Sequence, residues 1–132
     1  MSKIQKIKMT KEAAAQLMGL MPISAEARHR FTPGEFAGVP EEFRPVFVIR
    51  PMTKADKQVY SKSFDPKTIK SYESCIFDCI ESVENIYDVV SLEPVDFTLD
   101  YFMAIHPTVR EKIASEVLRV SCLLPIEALG LK

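Results

Sequence analysis

The amino-acid sequence predicts a mainly α, single compact domain of four to six helices, with a small β element near residues 46–50. The chain has 132 residues, of which 47% are hydrophobic and 27% charged, a composition typical of one soluble globular domain. Two long stretches carry apolar residues at spacings of three and four, which is the period of an amphipathic helix. Only one short apolar run, Val46 to Ile49, has the composition typical of a strand.

The first third of the chain predicts one helix and a long connection. Residues 1–9 are expected to form a flexible or edge segment. Thr10 is expected to cap a helix over residues 10–20 that Gly19 helps to end. Residues 22–45 hold four prolines and two glycines, which interrupt regular structure, so we expect a loop there.

The predicted strand lies between Pro45 and Pro51, which limit its pairing because neither proline nitrogen can donate a hydrogen bond. Its favoured partner is the segment from Tyr87 to Leu92, which also contains β-branched residues. Residues 3–9 are a weaker candidate, and the edge of a neighbouring subunit is an alternative. Any sheet is therefore expected to be small.

Two helix starts follow the strand. Thr53 and Asp56 have the spacing of a capping box, which predicts a short helix ending near Lys62. Asp65 followed by proline predicts a long helix over residues 65–85. The apolar stripe of that helix is Ile69, Tyr72, Ile76, Ile80 and Val83.

The last third predicts two further helices and a terminal turn. Thr98 is expected to cap a short helix over residues 99–104, and Pro107 to open a helix that runs to about Leu123. A last turn is expected over residues 126–129. The stripe of the longer helix is Val109, Ile113, Val117, Val120 and Leu124.

Charge is unevenly distributed along a chain whose net charge is −1. Residues 1–70 are basic, whereas residues 71–109 contain acids and neither lysine nor arginine. This pattern fits an ordinary solvated surface, and it also fits complementary faces that steer self-association or partner docking. Nucleic acid is not an expected partner because no motif combines basic and aromatic residues. A membrane is not expected either, because no apolar run approaches the roughly 20 residues that span a bilayer.

No catalytic residue, metal ligand or cofactor is predicted. The four glycines are isolated, so no phosphate-binding loop is present, and the three cysteines lack the spacing of a zinc site. Buried free thiols in a reducing cytoplasm are the favoured interpretation. The lysine-rich start before residues 13–21 loosely resembles an export signal, but a short amphipathic helix explains it better.

Two segments resemble the tail assembly chaperone family of long-tailed bacteriophages and prophages. The first segment is a Phe-x-x-Arg-Pro-Met-Thr unit after a proline-rich loop, made by Phe47, Arg50, Pro51, Met52 and Thr53. The second covers residues 97–132, with a junction at Ile105-His106-Pro107, a helix end at Ser121-Cys122-Leu123 and Glu127 in the tail. The resemblance spans about residues 44–132. It divides the chain into an N-terminal helix and Pro/Phe-rich arm, residues 1–43, and a helical chaperone-like domain, residues 44–132.

This resemblance implies a non-enzymatic role in virion assembly within the host bacterial cytoplasm. Members of the family bind the tape measure protein, keep it soluble, recruit tail tube subunits and tend to form homo-oligomers. The expected partner-binding residues are Phe31, Phe36, Phe43, Phe47, Arg50 and Met52. Glu81 and Glu84 are the expected self-association residues. For the loop phenylalanines Phe31, Phe36 and Phe43, packing on the core is the more usual outcome and partner binding the rarer one. Alternative functions are another phage structural or connector protein, a small enzyme or ligand-binding domain, and an exported protein.

Overall fold

The protein folds as a mixed α/β structure. The structure is a computed structural model that describes residues 7–65, 67 and 70–124. Within these residues, the fold has five α-helices and a three-stranded antiparallel sheet. The prediction of a mainly α fold is therefore wrong. One segment of the predicted loop and one segment of a predicted helix both pair with the predicted strand, because tertiary contacts override local propensity.

In chain order, the helices and strands are α1 (Lys11–Leu17), β1 (His29–Phe31), β2 (Val46–Ile49), α2 (Lys54–Lys62), α3 (Tyr72–Asp78), β3 (Ile80–Glu84), α4 (Leu99–Ala104) and α5 (Pro107–Val120). Two short 3₁₀ turns, Gly34–Phe36 and Glu41–Phe43, lie between β1 and β2. The expected last turn over residues 126–129 lies outside the described residues, as do Glu127 and the expected stripe residue Ile69.

The predicted strand is confirmed as β2, and it is the central strand of the sheet. Phe47 lies opposite Phe31 of β1 on one side and opposite Val83 of β3 on the other. The two prolines lie just outside the strand, so neither needs to donate to the ladder. The expected pairing with residues 87–92 is wrong, because those residues form a turn.

The long helix predicted over residues 65–85 is also wrong. Helix α3 ends at Asp78, Cys79 is its C-cap, and β3 begins at Ile80. An irregularity in register between Val48 and Ile49 brings Ile49 opposite Ile80. β-Bulges of this kind keep inward side chains facing the core where the pairing shifts.

Four of the five predicted helix starts, those after Thr10, Thr53 and Thr98 and at Pro107, are confirmed, whereas the start at Asp65 is wrong because α3 begins at Tyr72 with Ser71 as its N-cap. Thr10 accepts a hydrogen bond from Ala13 N (3.2 Å), and Thr98 accepts one from Tyr101 N (3.1 Å). At α2 the capping box is complete: Asp56 N donates to Thr53 Oγ1 (3.1 Å) and Thr53 N donates to Asp56 Oδ2 (2.9 Å). Each cap satisfies backbone N–H groups that have no partner within their own helix.

Helix α5 forms the centre of the core and packs against α3 and β1. Its buried residues are Val109, Ile113, Ala114, Val117, Leu118 and Val120. Phe47 and Ile49 from β2, Ile76 from α3 and Phe102 from α4 meet them in one cluster. The core therefore joins the inner face of the sheet to three helices.

The C-terminal end of α5 is fixed by a Schellman motif. Leu123 N donates to Leu118 O (2.9 Å), and Cys122, with φ of 59°, occupies the left-handed position usually held by glycine. Buried Ser121 accepts a hydrogen bond from Met52 N (2.9 Å) and donates one to Val117 O (2.8 Å). The segment after β2 is thereby attached to the end of α5. None of the helices in the described ranges is long and apolar enough to cross a membrane.

Candidate functional site

An apolar groove of about 340 Å³ lies where the 3₁₀ turns, β2 and the junction between α4 and α5 meet. We call it the aromatic groove. Its main lining residues are Phe36, Phe43, Pro45, Phe47, Tyr87 and Val89, with Tyr101, Ile105, His106 and Val109 along the helical side. Grooves lined mainly by aromatic and aliphatic side chains are the usual form of a peptide- or ligand-binding site.

The walls of the aromatic groove are held by hydrogen bonds from the loop before β2. Arg44 Nε donates to Val39 O (2.6 Å) and its Nη2 donates to Ala37 O (2.9 Å). Asn85 Nδ2 in turn donates to Arg44 O (3.0 Å) and attaches this loop to the end of β3. Because Arg44 makes these hydrogen bonds within its own loop, the groove has its shape without a bound partner.

Phe43 and Tyr87 form the exposed lip of the aromatic groove. Their rings meet edge to face, with 6.2 Å between centroids, and Phe43 is 52% exposed. Phe47 lies at the base of the groove and is 1% exposed. An aromatic pair at the lip and a buried ring below provide contact area at low entropic cost, which is typical of protein-binding surfaces.

Beside the lip, Asp88 to Glu93 form an ordered turn, which we call the 88–93 turn. Asp88 Oδ1 accepts hydrogen bonds from Val90 N (2.8 Å) and Ser91 N (2.9 Å), and Leu92 N donates to Asp88 O (2.8 Å). These backbone donors lower the pKa of Asp88, because they favour its charged form. The turn is therefore fixed, although Val89, Val90 and Leu92 on it are 87%, 89% and 74% exposed.

Three exposed acids adjoin the lining of the aromatic groove. Glu42, Asp88 and Asp100 each adjoin a lining residue in sequence, and all three are exposed. None of them forms an ion pair with another described residue. Two arginines also lie nearby and keep their positive charge, because both donate to neutral carbonyls: Arg44 to Val39 O and Ala37 O, and Arg110 to Met103 O (2.7 Å) and Ile105 O (2.8 Å).

A second cavity, of about 420 Å³, lies at the opposite end of α5. We call it the basic pocket, because Arg28, Arg50 and Lys57 line it, against one lining acid, Asp56. Its apolar lining residues are Ile23, Pro51, Met52 and Val120, and the half-buried thiol of Cys122 also reaches it.

The two arginines of the basic pocket are held within the chain. Arg50 Nη1 donates to Asp56 Oδ2 (2.7 Å) and Nη2 donates to Asp78 O (2.9 Å), whereas Arg28 Nε donates to Glu81 Oε2 (2.8 Å). Burial raises the pKa of Asp56, but hydrogen bonds from Arg50 and Thr53 outweigh burial and lower it. Lys57 makes no ion pair with any other residue in the described ranges.

The residues predicted to bind a partner do not form one site. Phe36, Phe43 and Phe47 line the aromatic groove, whereas Arg50 and Met52 line the basic pocket. Phe31 lies on β1, in a shallow depression against the Thr108–Ser115 side of α5. The Phe-x-x-Arg-Pro-Met-Thr unit therefore contributes to two surfaces. Its Phe47 lines the aromatic groove, and its Arg50, Pro51 and Met52 line the basic pocket.

The two predicted self-association residues contact arginines of the same chain across the outer face of the sheet. Glu81 pairs with Arg28 (2.8 Å), and Glu84 makes two hydrogen bonds to Arg30 (2.6 and 2.8 Å). A basic surface on another chain would therefore compete with these arginines for both carboxylates. Their role in self-association stays a prediction.

The sequence does not identify the 88–93 turn, Lys57 or Cys122 as parts of these surfaces. It predicts a strand at the turn because Val89, Val90 and Leu92 have β propensity. The signal for an exposed turn is the position of this apolar run between two acids, Asp88 and Glu93, because a buried strand would not be flanked in this way.

Several titratable groups of the described ranges take part in structural contacts. Burial raises the pKa of Cys79 to about 12 and also raises that of Cys75, so both thiols stay protonated at neutral pH. His106 Nδ1 accepts from Thr108 N (3.1 Å) as the cap of α5, and His29 contacts Glu116 (2.5 Å). In the part of the chain that the structure describes, no three His, Cys, Asp or Glu side chains are grouped to hold a metal ion.

No protein-family model, curated protein or solved structure matches the chain. The resemblance to tail assembly chaperones is therefore carried by the short motifs around residues 47–53 and 105–123 alone. The candidate site rests on the geometry described above, and its principal feature is the aromatic groove with three exposed acids beside it.

Proposed function

We propose that the protein is a non-enzymatic tail assembly chaperone of a long-tailed bacteriophage or prophage. In this role it binds the tape measure protein in the host cytoplasm, keeps it soluble and recruits tail tube subunits. The observation that carries the proposal is the aromatic groove, which is preshaped and apolar and has an exposed aromatic lip. A groove of this kind binds the apolar face of an amphipathic helix.

The chemistry of the groove suits a client that is held and released unchanged. Phe43 and Tyr87 offer apolar area at the lip, and no cysteine, serine, threonine or lysine is among the described lining residues. The surrounding acids favour client segments with basic residues beside the apolar face, because like charges would be repelled. Weak, repeated contacts along a long helical client are enough for a chaperone that must later let the client go.

The two motif segments also support the proposal by their positions. Met52 of the first segment and Ser121 of the second are joined directly, through the hydrogen bond from Met52 N to Ser121 Oγ. Phe47 of the first segment and Ile105 of the second both line the aromatic groove. The residues that carry the family resemblance thus lie together in space, although they are far apart in sequence.

The proposal predicts a tape measure gene beside the gene for this chain, and it is tested by co-expressing the two proteins. We expect the native chain to raise the soluble fraction of the tape measure protein. A double variant, Phe43→Ser with Val89→Ser, should lose most of this effect, because it removes apolar contact area from the lip of the groove. Both side chains are exposed, so the variant should unfold at nearly the same temperature as the native chain.

A matched control is Phe64→Ser with Val59→Ser, which removes the same residue types from an exposed surface away from the groove. The control should solubilise the client as well as the native chain does. Failure of the native chain to raise client solubility would overturn the chaperone proposal. Equal loss in both double variants would show that the aromatic groove is not the binding site.

A further inference from the structure

The 88–93 turn has the features of a docking element rather than of a passive loop. Val89, Val90 and Leu92 are all more than 70% exposed, yet the backbone beneath them is fixed by four hydrogen bonds, two of which Asp88 Oδ1 accepts. Leu92 has φ of 66°, a left-handed conformation that a leucine adopts only at an energetic cost. Strain of this kind, kept on an exposed apolar side chain, is a feature of ligand contacts.

The basic pocket has matching chemistry. Its volume of about 420 Å³ is within the range, roughly 300–1,000 Å³, of sites that enclose a ligand. Pro22, Ile23 and Pro51 provide an accessible apolar lining for aliphatic side chains. Lys57 provides a cation that is not paired among the described residues, whereas the turn carries Glu93, a likewise unpaired acid.

The turn and the pocket lie at opposite ends of α5. Val89 lies with His106 and Val109 at the start of this helix, whereas Val120 and Cys122 line the pocket at its end. A helix of 14 residues is about 20 Å long. One chain therefore cannot place its own turn in its own pocket while it keeps this fold, but a second copy can supply the turn.

We propose that the 88–93 turn of one copy inserts into the basic pocket of a second copy. Val90 and Leu92 contact Pro22 and Ile23, and Glu93 pairs with Lys57. The contact joins different surfaces of the two copies, so it is head to tail and builds rings or open chains. The inference rests on the proposed function only in treating the protein as an assembly factor, because the contact uses neither the client nor the base of the aromatic groove.

The insertion is small compared with the roughly 1,600 Å² of a standard protein interface, so a single contact is weak and association depends on concentration. Several contacts made along a ring or on a shared client add to one another. This weakness suits a coat that must form along a client and later come apart. It also requires an experiment that captures short-lived contacts.

Disulfide trapping is such an experiment, because the pocket already holds a half-buried thiol at Cys122. In the purified chain without client, Val90→Cys should form covalent dimers when diamide is added as the oxidant. Mass spectrometry should locate the bond between the introduced thiol and Cys122 of the other copy. Adding Cys122→Ser should abolish these dimers. The remaining native thiols, Cys75 and Cys79, are buried and should not react.

The matched control is Ser115→Cys, at an exposed position in the middle of α5 that belongs to neither surface. It should give few dimers under the same conditions. Equal dimer yield from Ser115→Cys and Val90→Cys would overturn the proposal, because it would mean random collision. A bond between two introduced thiols at position 90 would also overturn it, because the contact would then be symmetric.

A charge exchange provides a second, non-covalent test by sedimentation at increasing protein concentration. Lys57→Glu and Glu93→Lys should each lower the association constant by about tenfold, because each places like charges in contact. An equal mixture of the two variants should regain association, since the introduced lysine then meets the introduced glutamate. Failure of the mixture to recover would refute the Glu93–Lys57 pair.

Leu92→Asn separates a docking role from a structural one, because asparagine tolerates the left-handed conformation better than leucine does. We expect this variant to unfold at the same or a higher temperature and to associate less. Unchanged association would contradict the proposal. If association is lost in these variants but the client remains soluble, the head-to-tail contact is correct and independent of client binding. If association persists and the client precipitates, only the chaperone proposal fails.

Discussion

Glu116 on α5 is the acid whose protonation has the clearest consequence for stability. It contacts His29 of β1 (2.5 Å) and forms two hydrogen bonds with Arg119 (2.7 and 3.0 Å), while its side chain is only 12% exposed. Burial by itself raises the pKa of Glu116, but the hydrogen bonds from His29 and Arg119 outweigh burial and lower it to about 2. A carboxyl group whose pKa is lowered on folding stabilises the fold above its unfolded pKa.

We therefore predict that Glu116→Gln lowers the free energy of unfolding by about 2 kcal/mol at pH 7. The loss should shrink as the pH falls from about 4.5 towards 2, because the native carboxyl then becomes protonated as well. Urea unfolding followed by circular dichroism at several pH values measures this difference. Glu111→Gln, an exposed acid on the same helix, is the control and should change stability little. A loss from Glu116→Gln that does not depend on pH would contradict the assignment.

Single residues were predicted well where the signal is local. Thr53 and Asp56 are three residues apart, so a capping box could be read directly from the sequence. His29 and Glu116 are far apart in sequence, and their contact exists only because β1 packs on α5. The sequence predicts only a loop over residues 22–45, which include His29, since no short-range pattern indicates a contact of that kind.

At the scale of elements, the connection from β2 to α2 is the best-defined junction. Asp56 Oδ2 accepts hydrogen bonds from both Thr53 N (2.9 Å) and Arg50 Nη1 (2.7 Å). One carboxylate thus caps the helix and holds the side chain of the residue that follows the strand. Arg50 also reaches Asp78 O (2.9 Å), so the junction extends to the end of α3.

We predict that Asp56→Ala lowers the free energy of unfolding by about 2 kcal/mol, since it removes a cap and leaves Arg50 without its carboxylate. Asp56→Asn should cost less, because an amide oxygen can still accept from Thr53 N. Guanidinium unfolding monitored by circular dichroism would give both values. Glu12→Ala, which removes an acid from the first turn of α1, is the control and should have little effect. Equal losses of unfolding free energy in Asp56→Ala and Glu12→Ala would contradict the stabilising role of Asp56 at this junction.

The wrong helix over residues 65–85 shows why elements are harder to predict than caps. Ile76 and Ile80 are four residues apart, as on one face of a helix, but Ile76 lies in α3 and Ile80 in β3, and both side chains are buried. A continuous helix and the observed helix followed by a strand would both bury these two side chains. The strand is favoured over the continuous helix because β2 has backbone N–H and C=O groups to pair on both of its sides. This requirement cannot be read from residues 65–85 alone.

At the scale of the whole molecule, the aromatic groove and the basic pocket lie at opposite ends of α5. The acidic stretch from residue 71 to 109 could be read from the sequence, and it supplies two of the three acids beside the aromatic groove. The residues of the groove could be predicted only in part. Phe36, Phe43 and Phe47 were named from the sequence, but their convergence with Tyr87 depends on how the chain folds around the sheet.

The central position of β2 has a consequence for synthesis. β2 leaves the ribosome with β1 already made, but β3 follows only after α2 and α3, so the strand Val-Phe-Val-Ile has one unpaired side for that interval. Pairing at such separation slows folding relative to a helical bundle and prolongs exposure of an apolar strand edge to other nascent chains. The prolines on either side of β2 keep that edge to four residues, which limits how far a neighbouring strand can extend along it.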